Sequence, residues 1–169
     1  MFGPLDPLGQ RGPDQVSPGR GKGWGPMSRT DAHTPDARGM RACATAFVAR
    51  ATARHRLPLD YSPASLRVVD FLVDGVRKGG ADREHVHDTL VGLGAYVGEV
   101  LVRRAGAVWV DLDADQRSWF GQSVGVRMPD GRVWNPLGKV VNRFEAGGPE
   151  DSLRTFYLTL HGRARRAAA

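Results

Sequence analysis

Apolar residues recur at helical spacing through Leu66, Val69, Val73 and Val76, and again through Val86, Leu90, Leu93, Val97 and Leu101. A stripe every three to four residues marks a helix with one buried face. Ser62-Pro63 supplies a cap and first position for the first helix, and Gly79-Gly80 ends it. Asp82 caps the second helix and Gly106 closes it. The short link between them predicts antiparallel neighbours.

After Gly106 the period changes to two. Residues 107–112 are β-branched and aromatic, and Val124, Val126 and Met128 alternate with Gly125 and Arg127. Residues 113–116 read as a turn between these strands. Pro129-Asp130-Gly131 signals a hairpin returning through Arg132-Val133-Trp134, which Asn135-Pro136 stops. Leu137, Val140, Val141 and Phe144 mark a helix over 137–145, broken by Gly147-Gly148. Pro149 opens a last helix with Leu153, Phe156, Tyr157 and Leu160 inward. The expected fold is α+β: two N-terminal helices, a three-stranded antiparallel meander and two C-terminal helices.

These elements place a single α+β domain at residues 57–162, a size one core can serve. Residues 40–56 are rich in Ala and Arg and read as a helical extension whose large contacts are Phe47 and Val48. Residues 1–39 are rich in Pro and Gly, show no period, and are expected to be disordered. Within them, residues 1–26 read as translated upstream sequence, with Met27-Ser28-Arg29 as an alternative start. Residues 163–169 read as a disordered basic tail. No secretory leader and no apolar run of the ~18 residues a spanning helix needs is visible, so a cytoplasmic protein without membrane contact is expected.

The net charge of +6 suggests nucleic acid until it is divided along the chain. Residues 1–60 hold nine cations and five anions, residues 61–162 twelve and thirteen, and the last seven residues three arginines. The excess therefore lies at the two ends. Phosphate binding normally needs its cations clustered on a folded surface, which makes nucleic-acid binding an unfavoured reading. Only Lys22, Lys78 and Lys139 are lysines, which resembles the coding bias of a GC-rich bacterial genome.

Motifs for catalysis and metals are missing or fail. Asp111, Asp113 and Asp115 resemble half a calcium loop, but its sixth and twelfth positions hold Gln116 and Gln122 instead of Gly and Glu. His85 and His87 are two apart, so they do not face each other on a helix. Cys43 is alone, and Ser118, Ser123 and Ser152 have no indicated base. No metal and no cofactor is expected.

Three features remain. Gly92, Gly94 and Gly98 weaken a helix interior by ~1 kcal/mol each relative to Ala, so close packing against Gly94 and Gly98 is expected. Glu99 lies opposite the apolar stripe, with Tyr96 before it and Arg103 four residues on. It reads as a solvated helix pair, or alternatively as an acid/base in a cleft with Tyr96 and Asn135. Trp119 and Trp134 flank the sheet, and at least one is expected at the surface as a partner contact.

Several of these segments carry a resemblance. Tyr61-Ser62-Pro63, residues 93–100, Trp109, Asn135-Pro136, Lys139-Val140, Asp151-Ser152-Leu153 and Phe156-Tyr157 resemble a family of small uncharacterised actinobacterial proteins, a domain of unknown function. The resemblance implies the boundary 57–162 and carries over no catalytic residue. The leading expectation is a non-catalytic protein-binding module of the inhibitor or immunity kind. A small enzyme using Glu99 is the alternative, and weak nucleic-acid association through the Arg-rich termini the third. The partner's identity and the oligomeric state are not readable from the residues.

Overall fold

The computed structural model describes residues 36–167, with side chains described through 162. The expectations for residues 1–35, disorder and the alternative start among them, lie outside the described residues.

In chain order the elements are α1 (Met40–His55), α2 (Leu66–Lys78), α3 (His87–Ala105), β1 (Val108–Asp111), α4 (Ala114–Phe120), β2 (Val124–Arg127), β3 (Val133–Trp134), α5 (Pro136–Ala146) and α6 (Leu153–Ala167). Short 3-10 turns at Pro63–Ser65 and Pro149–Asp151 lead into α2 and α6. The architecture is α+β, with six helices among the described residues and a three-stranded antiparallel sheet. The strands run as a meander, with Trp109 opposite Val126 and Val126 opposite Trp134. Gly131, at φ +82°, makes the β2–β3 turn as its sequence predicts.

α3 is the hub. Every residue from Gly92 to Leu101 is buried, so this helix is covered on all sides and not on one stripe. Its glycines explain how. A Cβ at Gly92 would overlap Phe47 of α1, one at Gly94 would overlap Leu137 of α5, and one at Gly98 would overlap the Trp109 indole of β1. The close approach expected at Gly94 and Gly98 thus comes from a helix at one and from the sheet at the other. Gly98→Ala is expected to push the indole aside and cost about 1–3 kcal/mol, read as a lower midpoint in chemical denaturation.

Four features of the predicted arrangement are corrected. The turn assigned to 113–116 is the start of α4. Asp113 accepts from the Gln116 amide at 2.8 Å, and the Gln116 side chain returns a bond to the Asp113 N–H, a complete capping box. α2 is not chiefly a neighbour of α3; it packs mainly against α5 and α6, because α1 and α5 already occupy the glycine flanks of α3. The segment 40–56 is no extension, since Met40, Ala44 and Phe47 of α1 are core residues packed on α3. Its arginines therefore stand on the folded surface, and the cations assigned to an N-terminal end belong partly to the domain. At the other end α6 continues to Ala167, into the stretch assigned to a tail.

An ionic cluster joins the C-terminal helices to α2. Arg143 of α5 reaches Asp74 at 2.8 Å and Asp70 at 3.6 Å, and donates to the Gly148 carbonyl. Asp70 in turn accepts from the Leu153 amide and the Ser152 hydroxyl, both at 2.9 Å. It therefore caps α6 from a different helix.

Candidate functional site

Glu99 is fully buried, with 0% exposure. The reading of Glu99 and Arg103 as a solvated pair is corrected accordingly. The carboxylate sits on α3, where neighbours surround the helix, and β1 crosses against the Gly98 flank. Its Oε2 accepts from Arg103 Nε at 3.0 Å and its Oε1 from Trp109 Nε1 at 3.2 Å. Arg41 of α1 stands 3.8 Å from Oε1, beyond hydrogen-bond reach, with its side chain 70% exposed. A buried carboxylate needs this kind of compensation, and here a cation and an indole N–H provide it directly.

Above Glu99 lies an open cleft of ≈330 Å³. Ala37, Arg38 and Arg41 line it from the start of α1, Val102 from α3, and Val108 and Trp109 from β1. The entry to α1 is tied down here, since the Ala37 N–H donates to Asp111 of β1 at 2.9 Å.

Tyr96 and Asn135 do not join Glu99 in its hydrogen bonds. Tyr96 is buried, and its hydroxyl accepts from the Tyr61 amide at 2.9 Å and bonds Ser65 Oγ at 2.6 Å. Burial raises its pKa above the ordinary phenol value, against the opposing effect of the Ser65 bond. Asn135 caps α5 by accepting from the Gly138 amide at 2.8 Å, and its amide donates to the Phe120 carbonyl. Lys139 pairs with Asp151 at 2.6 Å and is part-buried.

Tyr61 links these two groups. It has φ +58°, a strained value for an aromatic residue, and its surroundings fix it there. Its ring stacks on Tyr96 at 4.8 Å, the Arg103 guanidinium lies 3.7 Å above it, and its carbonyl accepts from Arg104 Nε. A continuous chain thus runs from Ser65 through Tyr96, Tyr61 and Arg103 to Glu99.

The tryptophans separate. Trp134 is half-buried, packed against the core and edge-on to Phe156 at 6.2 Å. Trp119 of α4 is 82% exposed. The helix that carries it is fixed at one end by the Asp113 capping box and at the other by Gly121, whose N–H returns to the Arg117 carbonyl.

No family model, no curated protein and no solved structure matches this chain. The site is therefore read from its own chemistry. Among the described residues no three His, Cys, Asp or Glu side chains gather as metal ligands would. Asp111 and Asp113, from the calcium-like run, are used on the Ala37 amide and as the α4 cap. Among the described residues no helix is long and apolar enough to cross a membrane. Burial pushes the Cys43 thiol upward, which lowers its thiolate fraction.

His85 stands outside the cleft and gives a pH prediction. Asp82 lies 2.6 Å from its Nδ1, raising the imidazole above its ordinary 6.5 while His85 holds Asp82 below the usual carboxylate value. The pair's contribution to stability is whole below the unfolded His pKa and fades as pH rises through the raised folded value. At the acid end it fades as pH falls through the lowered Asp82 value. An NMR titration is expected to place His85 above 6.5, and Asp82→Asn to bring it down.

The sequence did not indicate Arg38, Arg41 or the Trp109 bond to Glu99. Arg38 lies in the stretch 1–39 expected to be disordered, and Arg41 in the helical extension over 40–56. The Trp109 partnership is ten residues long in sequence and depends on Gly98 admitting the indole. The spacing of Gly98 and Trp109 alone carries no signal for it.

Proposed function

We propose that this chain is a cytoplasmic, non-catalytic protein-binding module of the inhibitor or immunity kind, with Trp119 as the anchor of its partner surface. The observation that carries this reading is an 82%-exposed tryptophan on a short helix pinned at both ends. Exposed indoles lower solubility, and tryptophan is the residue most enriched where partners bind tightly. Holding it on a capped helix reduces the ordering cost of association. Trp134, half-buried against Phe156, serves the core in this reading.

The enzyme alternative draws less support. Glu99 does border a cleft, but both of its oxygens are already bonded, and Tyr96 and Asn135 make their hydrogen bonds elsewhere.

The test uses the full chain as bait in native lysate, followed by reconstitution with the purified partner. One protein at near-equal stoichiometry is expected, bound by the parent and by Trp134→Phe and lost by Trp119→Ala. Trp119→Ala should leave unfolding free energy within about 0.5 kcal/mol of the parent, because the side chain packs on little. Equal binding by Trp119→Ala would end the assignment.

A further inference from the structure

We propose that the cleft between α1, α3 and β1 binds a small organic anion, a carboxylate or phosphate ester carrying an apolar or aromatic body. This site is separate from Trp119 and does not depend on the protein-binding reading.

The first argument is space. At ≈330 Å³ the cleft lies at the lower end of the range in which small-molecule sites occur, roughly 300–1,000 Å³. The cleft is open, so a compact ligand seated here keeps part of its surface in solvent.

The second argument is the sign of the charge. Two arginines and one carboxylate line the cleft. Glu99 is already matched by Arg103 at 3.0 Å and by the Trp109 N–H at 3.2 Å. Arg41 pairs with Glu99 only at 3.8 Å, and its side chain is mostly in solvent, where a ligand can meet it. Arg38 is exposed beside it, with no ion-pair partner among the described residues. At the entry to the 16-residue α1, Asp36 accepts from the Gly39 N–H and Asp111 from the Ala37 N–H, so the arginine side chains and not the helix end supply the positive charge. A cationic ligand is disfavoured, since Glu99 has no solvent-exposed surface and is already paired with Arg103.

The third argument is the apolar part of the lining. Val102, Val108 and the Trp109 indole are apolar, and Val108 is exposed. The indole is held in place by Gly98 behind it and Glu99 at its nitrogen. A fixed indole in the same cleft as two exposed guanidinium groups suits a ligand that is anionic at one end and flat or greasy at the other.

The Trp109 indole N–H resonance of the full chain reports on this cleft directly. Phenyl phosphate, benzoate, inorganic phosphate and benzylamine would each be titrated to about 10 mM, which detects millimolar affinities. Phenyl phosphate and benzoate are expected to give saturable shifts. Inorganic phosphate should bind about tenfold more weakly, since it lacks the apolar body, and benzylamine should not bind. The double variant Arg38→Gln/Arg41→Gln should weaken the aromatic anions at least about tenfold. Both residues are exposed, so the variant should keep the parent's circular dichroism. Absence of saturation with either aromatic anion, binding of benzylamine in their place, or unchanged affinity in the double variant would overturn the proposal. Equal affinity for inorganic phosphate would overturn the role of the apolar wall.

Discussion

Arg143→Ala is expected to lower the unfolding free energy by about 3 kcal/mol, among the largest effects of any single change in this chain. The guanidinium is nearly buried and bridges Asp70, Asp74 and the Gly148 carbonyl. Its removal leaves two carboxylates facing each other on α2 with no cation between them. Asp70 would still hold the Leu153 amide and the Ser152 hydroxyl, so α6 keeps its cap while α5 loses its tie to α2. For a domain of this size the loss corresponds to about 10 °C in melting temperature. Arg143→Lys should recover only part of it, because one ammonium cannot reach both carboxylates and the carbonyl as the fork does. Denaturation in urea at neutral pH measures both variants. A change below about 1 kcal/mol for Arg143→Ala would show that solvent reaching Asp74 already neutralises the cluster.

Glu99→Ala is expected to cost as much or more, about 3–5 kcal/mol, by a different route. Here the lost group is the anion. Arg103 can swing toward solvent, but the Trp109 N–H is left beside an empty space in the core. Glu99→Gln should fall between the parent and Glu99→Ala, since its oxygen can still accept from one donor while its amide faces the other. The sign of the effect carries functional meaning. Acidic groups placed for catalysis are commonly held at the expense of stability, and removing them stabilises. A Glu99→Gln variant more stable than the parent would return Glu99 to the catalytic reading. A destabilised one identifies it as the structural floor of the cleft.

Much of the fold was legible because its signals are local. The strand alternation at Val124 and Val126, the Pro129-Asp130-Gly131 turn, the Asn135 cap and the inward set of α5 each depend on residues within a few positions. The capping box of α4 is equally local, and it was missed for another reason. Asp113 and Gln116 belong at once to an acidic run that resembles a calcium loop and to an Asp-x-x-Gln helix start, and the seven-residue helix that follows is too short to show an apolar stripe. Burial of α1 was not legible. Its stripe of Met40, Ala44 and Phe47 is thin because α3 offers glycines, and a small apolar face is enough when the neighbour lets the backbones approach. Glu99 was hidden by the same device. On an ordinary helix its position opposite the apolar stripe would face water, but α3 has no outer side.

The bond between the Ala37 N–H and Asp111 spans 74 positions. On a ribosome the chain is made from the N-terminus at about 5–20 residues per second. α1 therefore leaves the exit tunnel several seconds before β1 exists to receive its entry. For the first part of that interval Met40 and Phe47 lack their cover, because α3, which carries the Phe47 slot at Gly92, follows α1 and α2 in the chain. The helix that must wait is also the one with no acidic residue and with Arg41, Arg50 and Arg54 on its surface. Like charges along a nascent segment keep copies on neighbouring ribosomes apart.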